Sequence, residues 1–436
     1  MSIKQNFPEV SPSLLLDFAN SKTLDPTITF TRASVGTYVG RDGLIKTASN
    51  NEPRFDHDPA TLESLGLLIE ESRTNVAESS EDFGNTSFWL ATNQTITTNV
   101  ATAPDGTLTA DNIVPDSGSA ATRYLYFDAS AYSMSASASY TTSIFVKKNG
   151  LRYFAFQAID NGSGSGLRAG FDLDNGTVVT SNIFGSASGP SASIVEFPNG
   201  WFRCILTGTS ASGSSTGRTA FSFSSALDSN ASVGAITADG SSGGYVWGHQ
   251  VEAGSFPTSY IPTNGTTVTR GADLPYIEGS NFSDFYDTTG SGGTFFVEFG
   301  GSNTSGNILS LGPDSGHTQT TQFGHSGYTQ GVVSSNYNAF NTYGGSGATD
   351  GGWNTTGTNK FAFTITSTQL KLCGNGKSVQ TGSGTTPIFT NFTKFTFGGN
   401  VSWDKTYTGQ QKNHIISIKY YRSLLPDAQL QGLTQQ

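Results

Sequence analysis

The sequence predicts an all-β protein: an extended, strand-rich N-terminal arm followed by two antiparallel jelly-roll β-sandwiches. Three observations carry that reading. The 436 residues include 53 glycines, and glycine is a residue of tight turns. Charged residues make up only 13%, against roughly 25% in an average globular protein, so Gly, Ser, Thr and Asn must cover the surface. Short runs alternating apolar and polar residues recur, divided by Asp-Gly and Asn-Gly pairs that turn hairpins.

Residues 1–80 form the arm. "TITFTRAS" and "GTYV" alternate as strands do, Asp42–Gly43 marks a hairpin, and "SLGLLIEESRTN" gives a short apolar strand. Their apolar residues are too sparse to close a core alone. "SPSLLLDF" carries Leu14, Leu15, Leu16 and Phe18, a patch expected to seek partners in assembly. Residues 81–273 form the first sandwich, with strands in "YTTSIFVKK", "YFAFQAI", "NGWFRCILTG" and "GGYVWGHQVEAG" and turns at Asn175–Gly176 and Asn199–Gly200. "FPTSYIPTNGTTVTRGAD" leaves it as a proline-punctuated linker. Residues 274–436 form the second sandwich, with "GTFFVEFG", "KFAFTIT", "QLKLCGNGK" and "NHIISIKYYRS". Only "LLPDAQLQGLTQQ" reads as a helix, opened by Pro426 and docking Leu425, Leu430 and Leu433 on the sheet. Two cores are expected, one with Trp201, Phe202 and Trp247, the other with Phe296, Phe363 and Phe397.

A net charge of -10 without a basic run argues against nucleic-acid binding. No apolar run is long enough to span a membrane, and the N-terminus lacks the apolar core of a signal peptide. Cys204 and Cys373 fall in different sandwiches, so no disulfide is expected; no metal spacing and no cofactor motif is present.

The acid–base candidates each meet a structural alternative. "WGHQVEAGSFPTSYIPT" places His249 near Glu252, but a metal needs three or four ligands, so a closing strand is the better reading. "DLDNG" at 172–176 is half a calcium loop and a complete hairpin turn. "GSSGG" at 240–244 matches a nucleophile elbow around Ser242, but a strand follows where a helix is needed. "PRFDHDP" holds Asp56, His57 and Asp58, read as a turn with Arg54 paired to a carboxylate. Glycoside hydrolysis needs two carboxylates across a cleft, and the acids of the second sandwich are thin and scattered, Glu298, Asp314, Asp350, Asp404 and Asp427 among them. The best binding candidate is the loop "NAFNTYGGSGATDGGWNTTGTN". There Tyr343 and Trp353 suit stacking on sugars, and Asn341, Asp350 and Asn354 suit hydrogen bonds to hydroxyls.

Over nearly its whole length the chain resembles bacteriophage virion structural proteins, most familiar in phages of marine bacteria. The resemblance rests on "LDFANSKTLDPTITFTRAS", "DGLIKTA", "EPRFDHDP" and "SLGLLIEESRTN" in the arm, and on "NGWFR" and "WGHQVEAGSFPTSYIPT…VTRGAD" in the centre. The last unit is similar to concanavalin-type lectin or laminin-G domains, and the first sandwich to carbohydrate-binding modules. Concanavalin-type enzymes commonly carry Glu-x-Asp-x-Glu on one strand, which is absent here. The resemblance implies a non-enzymatic tail fibre or capsid decoration, made in the host cytoplasm and carried on the virion, where it meets other virion proteins and host-surface polysaccharide. Analogy with phage adhesins implies a homotrimer. A polysaccharide depolymerase and a purely architectural virion protein remain the alternatives.

Overall fold

The computed structural model describes residues 8–160, 164–213, 216–227, 235–301, 306–312, 321–326, 329–335, 338–340, 357–366, 369–383, 392–398, 400–401, 407–408 and 412–435. The chain is all-β, as the composition predicts.

The first sandwich packs two six-stranded antiparallel sheets face to face. One runs Ser188–Phe197, Trp201–Thr209, Ser139–Asn149, Gly243–Ala253, Ala110–Pro115, Gln94–Ala101. The other runs Thr177–Phe184, Ser165–Asp172, Tyr153–Asp160, Thr216–Ser224, Tyr124–Ser133, Trp89–Thr92. The period of two decides what lies between them. On Trp201–Thr209, the side chains of Phe202, Cys204 and Leu206 point inward among Ile144, Phe154, Phe221 and Phe223. Trp201 points the other way and joins Trp247, Phe145, Phe197, Tyr260 and Ile45 in a separate cluster. The expected core of Trp201, Phe202 and Trp247 is therefore two layers, because this sheet is covered on both faces. The outer cover comes from the hairpin of Gly36–Val39 and Ile45–Ala48, turned at Gly43 with φ 76°, and from the segment around Tyr260.

The second sandwich is built from both ends of the chain. One sheet runs Gln380–Ser383, Gln369–Gly374, Thr358–Ile365, Gly293–Gly301, Asn413–Tyr421, Ser64–Ile69, Phe55–His57. The strand Leu14–Asp17 also pairs with Asn413–Tyr421. The facing sheet begins with Thr29–Thr31, paired to Leu274–Glu278. Residues 1–80 are thus not a free arm. The strands Leu14–Asp17, Thr29–Thr31, Phe55–His57 and Ser64–Ile69 close the C-terminal sandwich, and Leu14, Leu16 and Phe18 are buried in its core with Phe363, Phe395 and Phe397. The patch read as an assembly surface is internal, apart from Leu15, whose side chain takes the opposite face and is 57% exposed. Alternation also divides Phe295 from Phe296: the first enters the sandwich core, the second packs outside it against Tyr421, Leu425 and Leu430. The helix Asp427–Thr434, preceded by Pro426, supplies that outer cover as expected.

Candidate functional site

The segment from Phe256 to Asp273 is not a loose linker. Thr258, Ser259, Tyr260, Ile261, Thr263, Arg270 and Asp273 are all buried, and Val268–Arg270 pairs with Arg73–Asn75. It carries one half of a sealed ion cluster. Arg54 donates to Glu70 Oε2 and to the Ser259 hydroxyl at 2.8 Å each, and also to Asp273. Arg32 Nη1 donates to Asp273 Oδ1 at 3.0 Å, and Arg270 Nε lies 3.5 Å from Glu70 Oε2. Burial pushes the Glu70 carboxyl up, but Arg270 and Arg54 outweigh it and hold the group well below the usual carboxylate range. All five charged side chains are at most 1% exposed, so no solute reaches them. The signature segments quoted for the resemblance converge here: "TFTRAS" brings Arg32, "EPRF" Arg54, "LIEES" Glu70, "FPTSY" Ser259 and "VTRGAD" Arg270 and Asp273. Their shared role is to lock the two sandwiches together.

The other acid–base candidates come apart. Asp56, on a strand rather than a turn, accepts from Val39 N at 2.7 Å and His414 Nε2 at 2.8 Å. His57 Nε2 accepts from Lys22 Nζ at 2.9 Å, which leaves its Nδ1–H to Val39 O at 3.1 Å. Asp58 caps the exposed turn at Ala60 and Thr61. Glu252 accepts from the backbone N–H and the hydroxyl of Thr258. His249 is fully buried against Trp89 and Phe127 with neither ring nitrogen hydrogen-bonded to a described residue. Asp172 closes the Asn175–Gly176 turn by accepting from Asp174 N and the Asn175 amide, and pairs with Arg152. The Ser242 hydroxyl donates to Asp239 at 2.7 Å in an exposed turn ahead of a strand. Both cysteines are buried and free. Among the described residues, no group of three or more His, Cys, Asp or Glu side chains can hold a metal ion. Tyr343, Asp350, Trp353, Asn341 and Asn354 lie outside the described residues.

Among the described residues, the fold builds an open cleft on the first sandwich. A cleft of about 600 Å³ is lined by Ser79, Glu81, Asp82, Asn99, Thr109, Asp111 and the turn Pro262–Thr266. Its floor is pinned by the same segment that closes the ion cluster. Tyr260 Oη donates to Glu81 Oε1 at 2.7 Å, Thr263 N to the Ser80 hydroxyl at 2.7 Å, and Gly265 N to Glu78 O at 2.7 Å. Asp111 accepts the backbone N–H groups of Phe83 and Asn99 at 2.9 Å each and is only 1% exposed. Burial raises its carboxyl to about 6; the two N–H groups oppose the rise, and the nearby Asp82 and Glu81 charges add to it. Glu81 is raised too, by burial, against the pull of the Tyr260 hydroxyl.

Sequence reasoning missed this cleft. Its signal was "ESSEDF", three acids within five residues of a chain that is poor in charge, next to the sandwich's first strand. Nothing local said that Asn99, Thr109 and Thr266 would face them, because those residues arrive by long-range strand pairing.

No family model and no curated protein matches the chain. Among solved structures, it is similar to the CBM40 of the Ruminococcus gnavus IT-sialidase bound to α2,3-sialyllactose: 16% identity over 33% of this chain and 83% of that one, TM-score 0.28. It is also similar to domain 4 of an extracellular GH43 arabinanase from Geobacillus stearothermophilus in complex with arabinotriose: 14% identity, 42% and 83% covered, TM-score 0.29. Trypanosoma rangeli sialidase aligns at 11% identity over 74% of this chain and 60% of its own, TM-score 0.25. At these values the functional reading rests on the chain's own residues.

Proposed function

We propose that this chain is a non-enzymatic bacteriophage virion protein that binds host-surface glycan through the cleft on its first sandwich. The carrying observation is the lining itself. The hydroxyls of Thr109 and Thr266, the amides of Asn99 and Asn264 and the carboxylates of Glu81 and Asp82 offer both donors and acceptors. That is the chemistry that recognises vicinal hydroxyls. The virion setting is supported by the signature segments that meet in the ion cluster, and a homotrimer by analogy alone.

Catalysis is disfavoured by how the three carboxylates are held. Retaining and inverting glycosidases need two carboxyl groups facing each other across the scissile bond. Both oxygens of Asp111 are occupied by backbone N–H groups and sealed from solvent. Glu81 and Asp82 are sequence neighbours on one wall.

A glycan array on the full chain, followed by analysis for released oligosaccharide, tests the reading. Binding lost in Asp82→Ala and Asn99→Ala, with no cleavage, is the expected result. Released products would establish a depolymerase, and an array with no binding would leave a purely architectural protein.

A further inference from the structure

A second cavity lies between the two sandwiches, away from the cleft. It encloses about 170 Å³. The hairpin contributes Val39 and Ile45, the outer face of the first sandwich Phe145, Phe197, Ile205 and Arg203, and the second sandwich Lys412 and His414. Most of the wall is apolar. The polar end is cationic, and one of its groups is anomalous.

Arg203 is 7% exposed. Its guanidinium donates to the Ser143 hydroxyl from Nε at 3.2 Å and Nη2 at 2.9 Å, and to Thr258 O from Nη1 at 2.9 Å. Three of its five N–H groups are thereby used. Both acceptors are neutral, and Arg203 forms no ion pair among the described residues, unlike Arg32, Arg54 and Arg270. Glu252 and Glu70 act on Arg203 electrostatically but neither touches it: Glu252 accepts from Thr258, and Glu70 from Arg54 and Ser259. Buried charges are ordinarily paired, since stripping water from a lone ion is costly. Asp56, the one carboxylate on the wall, already accepts from Val39 N and His414. Arg203 therefore faces the cavity without a carboxylate in direct contact, while Asp56 acts on Lys412.

We propose that this cavity is a binding site for a small organic carboxylate with an apolar body, its carboxylate seated against Arg203 and its body among Val39, Ile45, Phe145 and Ile205. The size fits one aromatic ring or a branched chain, since an engineered apolar cavity of about 150 Å³ holds benzene. The ligand touches both sandwiches and so stabilises their junction by mass action.

The test is the melting temperature of the full chain titrated with benzoate, benzyl alcohol and acetate. Benzoate should raise it saturably, and the other two should not at equal concentration. In Arg203→Gln the benzoate affinity should fall about tenfold or more, as for loss of one charge-assisted contact. If that variant does not fold, Val39→Phe, which fills the cavity from the hairpin, should fold and lose the benzoate shift. Equal shifts from benzoate and benzyl alcohol would overturn the anionic ligand, and equal shifts from acetate its apolar body. A benzoate shift retained in Val39→Phe, or no shift in the wild type, would overturn the site.

Discussion

Glu70 and Asp273, 203 residues apart, are joined directly: the Glu70 backbone N–H donates to Asp273 Oδ2 at 2.8 Å, and both carboxylates bind Arg54. The strand closing the arm and the segment closing the first sandwich thus end in one dry ion cluster. With Arg32 and Arg270 the cluster holds three cations against two anions, so removing either anion strands guanidinium charge away from water.

Asp273→Asn should accordingly cost about 3–5 kcal/mol, the range for breaking one partner out of a buried ionic network. Asp58→Asn, on an exposed turn, should change stability by no more than about 1 kcal/mol. Urea unfolding of the two variants checks this, and similar midpoints would refute a structural role for the cluster.

His249 gives the opposite expectation, that replacement stabilises. Burial with no hydrogen-bond partner lowers its pKa from 6.5 to about 3. The folded state therefore binds fewer protons than the unfolded chain between those values. The stability from keeping the ring neutral is full above 6.5 and falls as pH drops toward 3, by about 2 kcal/mol at pH 5. His249→Phe keeps an aromatic ring beside Trp89 and Phe127, removes two unsatisfied nitrogens and should flatten this acid slope. Unfolding midpoints at pH 5 and pH 8 in both proteins measure it.

The sequence made some of this architecture legible and hid the rest for identifiable reasons. Strands, hairpins at Gly43, Asn175 and Asn199, and the helix at Asp427 are local, set by alternation and turn chemistry within about ten residues. The closure of the C-terminal sandwich by residues 14–69 is not local. Leu14 opposes Tyr420 and Phe55 opposes Leu67, pairings that hydrophobic pattern alone cannot assign. The arm's need for partners was readable, but not that its own chain supplies them. Two-faced burial misled in the same way. Trp201 and Phe202 look like one core until the hairpin is known to cover the outer face. The ion cluster was visible only as separate motifs, because its five charges come from four segments.

The internal arm has a direct test in Leu15 and Leu16. Leu16 is 2% exposed in the second sandwich core, and Leu15 is 57% exposed. Leu16→Ala should cost about 2–5 kcal/mol and Leu15→Ala under about 1 kcal/mol. Deleting the residues before Asp25 removes the strand Leu14–Asp17 and the buried Phe18, and should unfold the C-terminal sandwich rather than release a folded, unassembled protein. A truncated chain that melts like the wild type would restore the free arm.

Asp111 connects the cleft to pH. Its carboxyl is raised from 3.8 to about 6, chiefly by burial, with Asp82 and Glu81 adding repulsion. A raised folded value means that the native state binds the extra proton. The resulting stability is full below 3.8 and is lost as pH rises through 6, the reverse of the His249 slope. Between pH 7.5 and pH 5 the gain is on the order of 1 kcal/mol from this group. The cleft should therefore tighten its own walls in mild acid, since protonation relieves the like-charge repulsion between Asp111 and the loop carrying Glu81 and Asp82. Asp82→Asn removes a neighbouring charge without touching the two N–H contacts, so it should lower the Asp111 pKa and reduce that gain. Comparing stability at the two pH values in wild type and Asp82→Asn, both in the His249→Phe background, isolates the effect. A gain unchanged by Asp82→Asn would show that the carboxylates of the cleft do not sense one another.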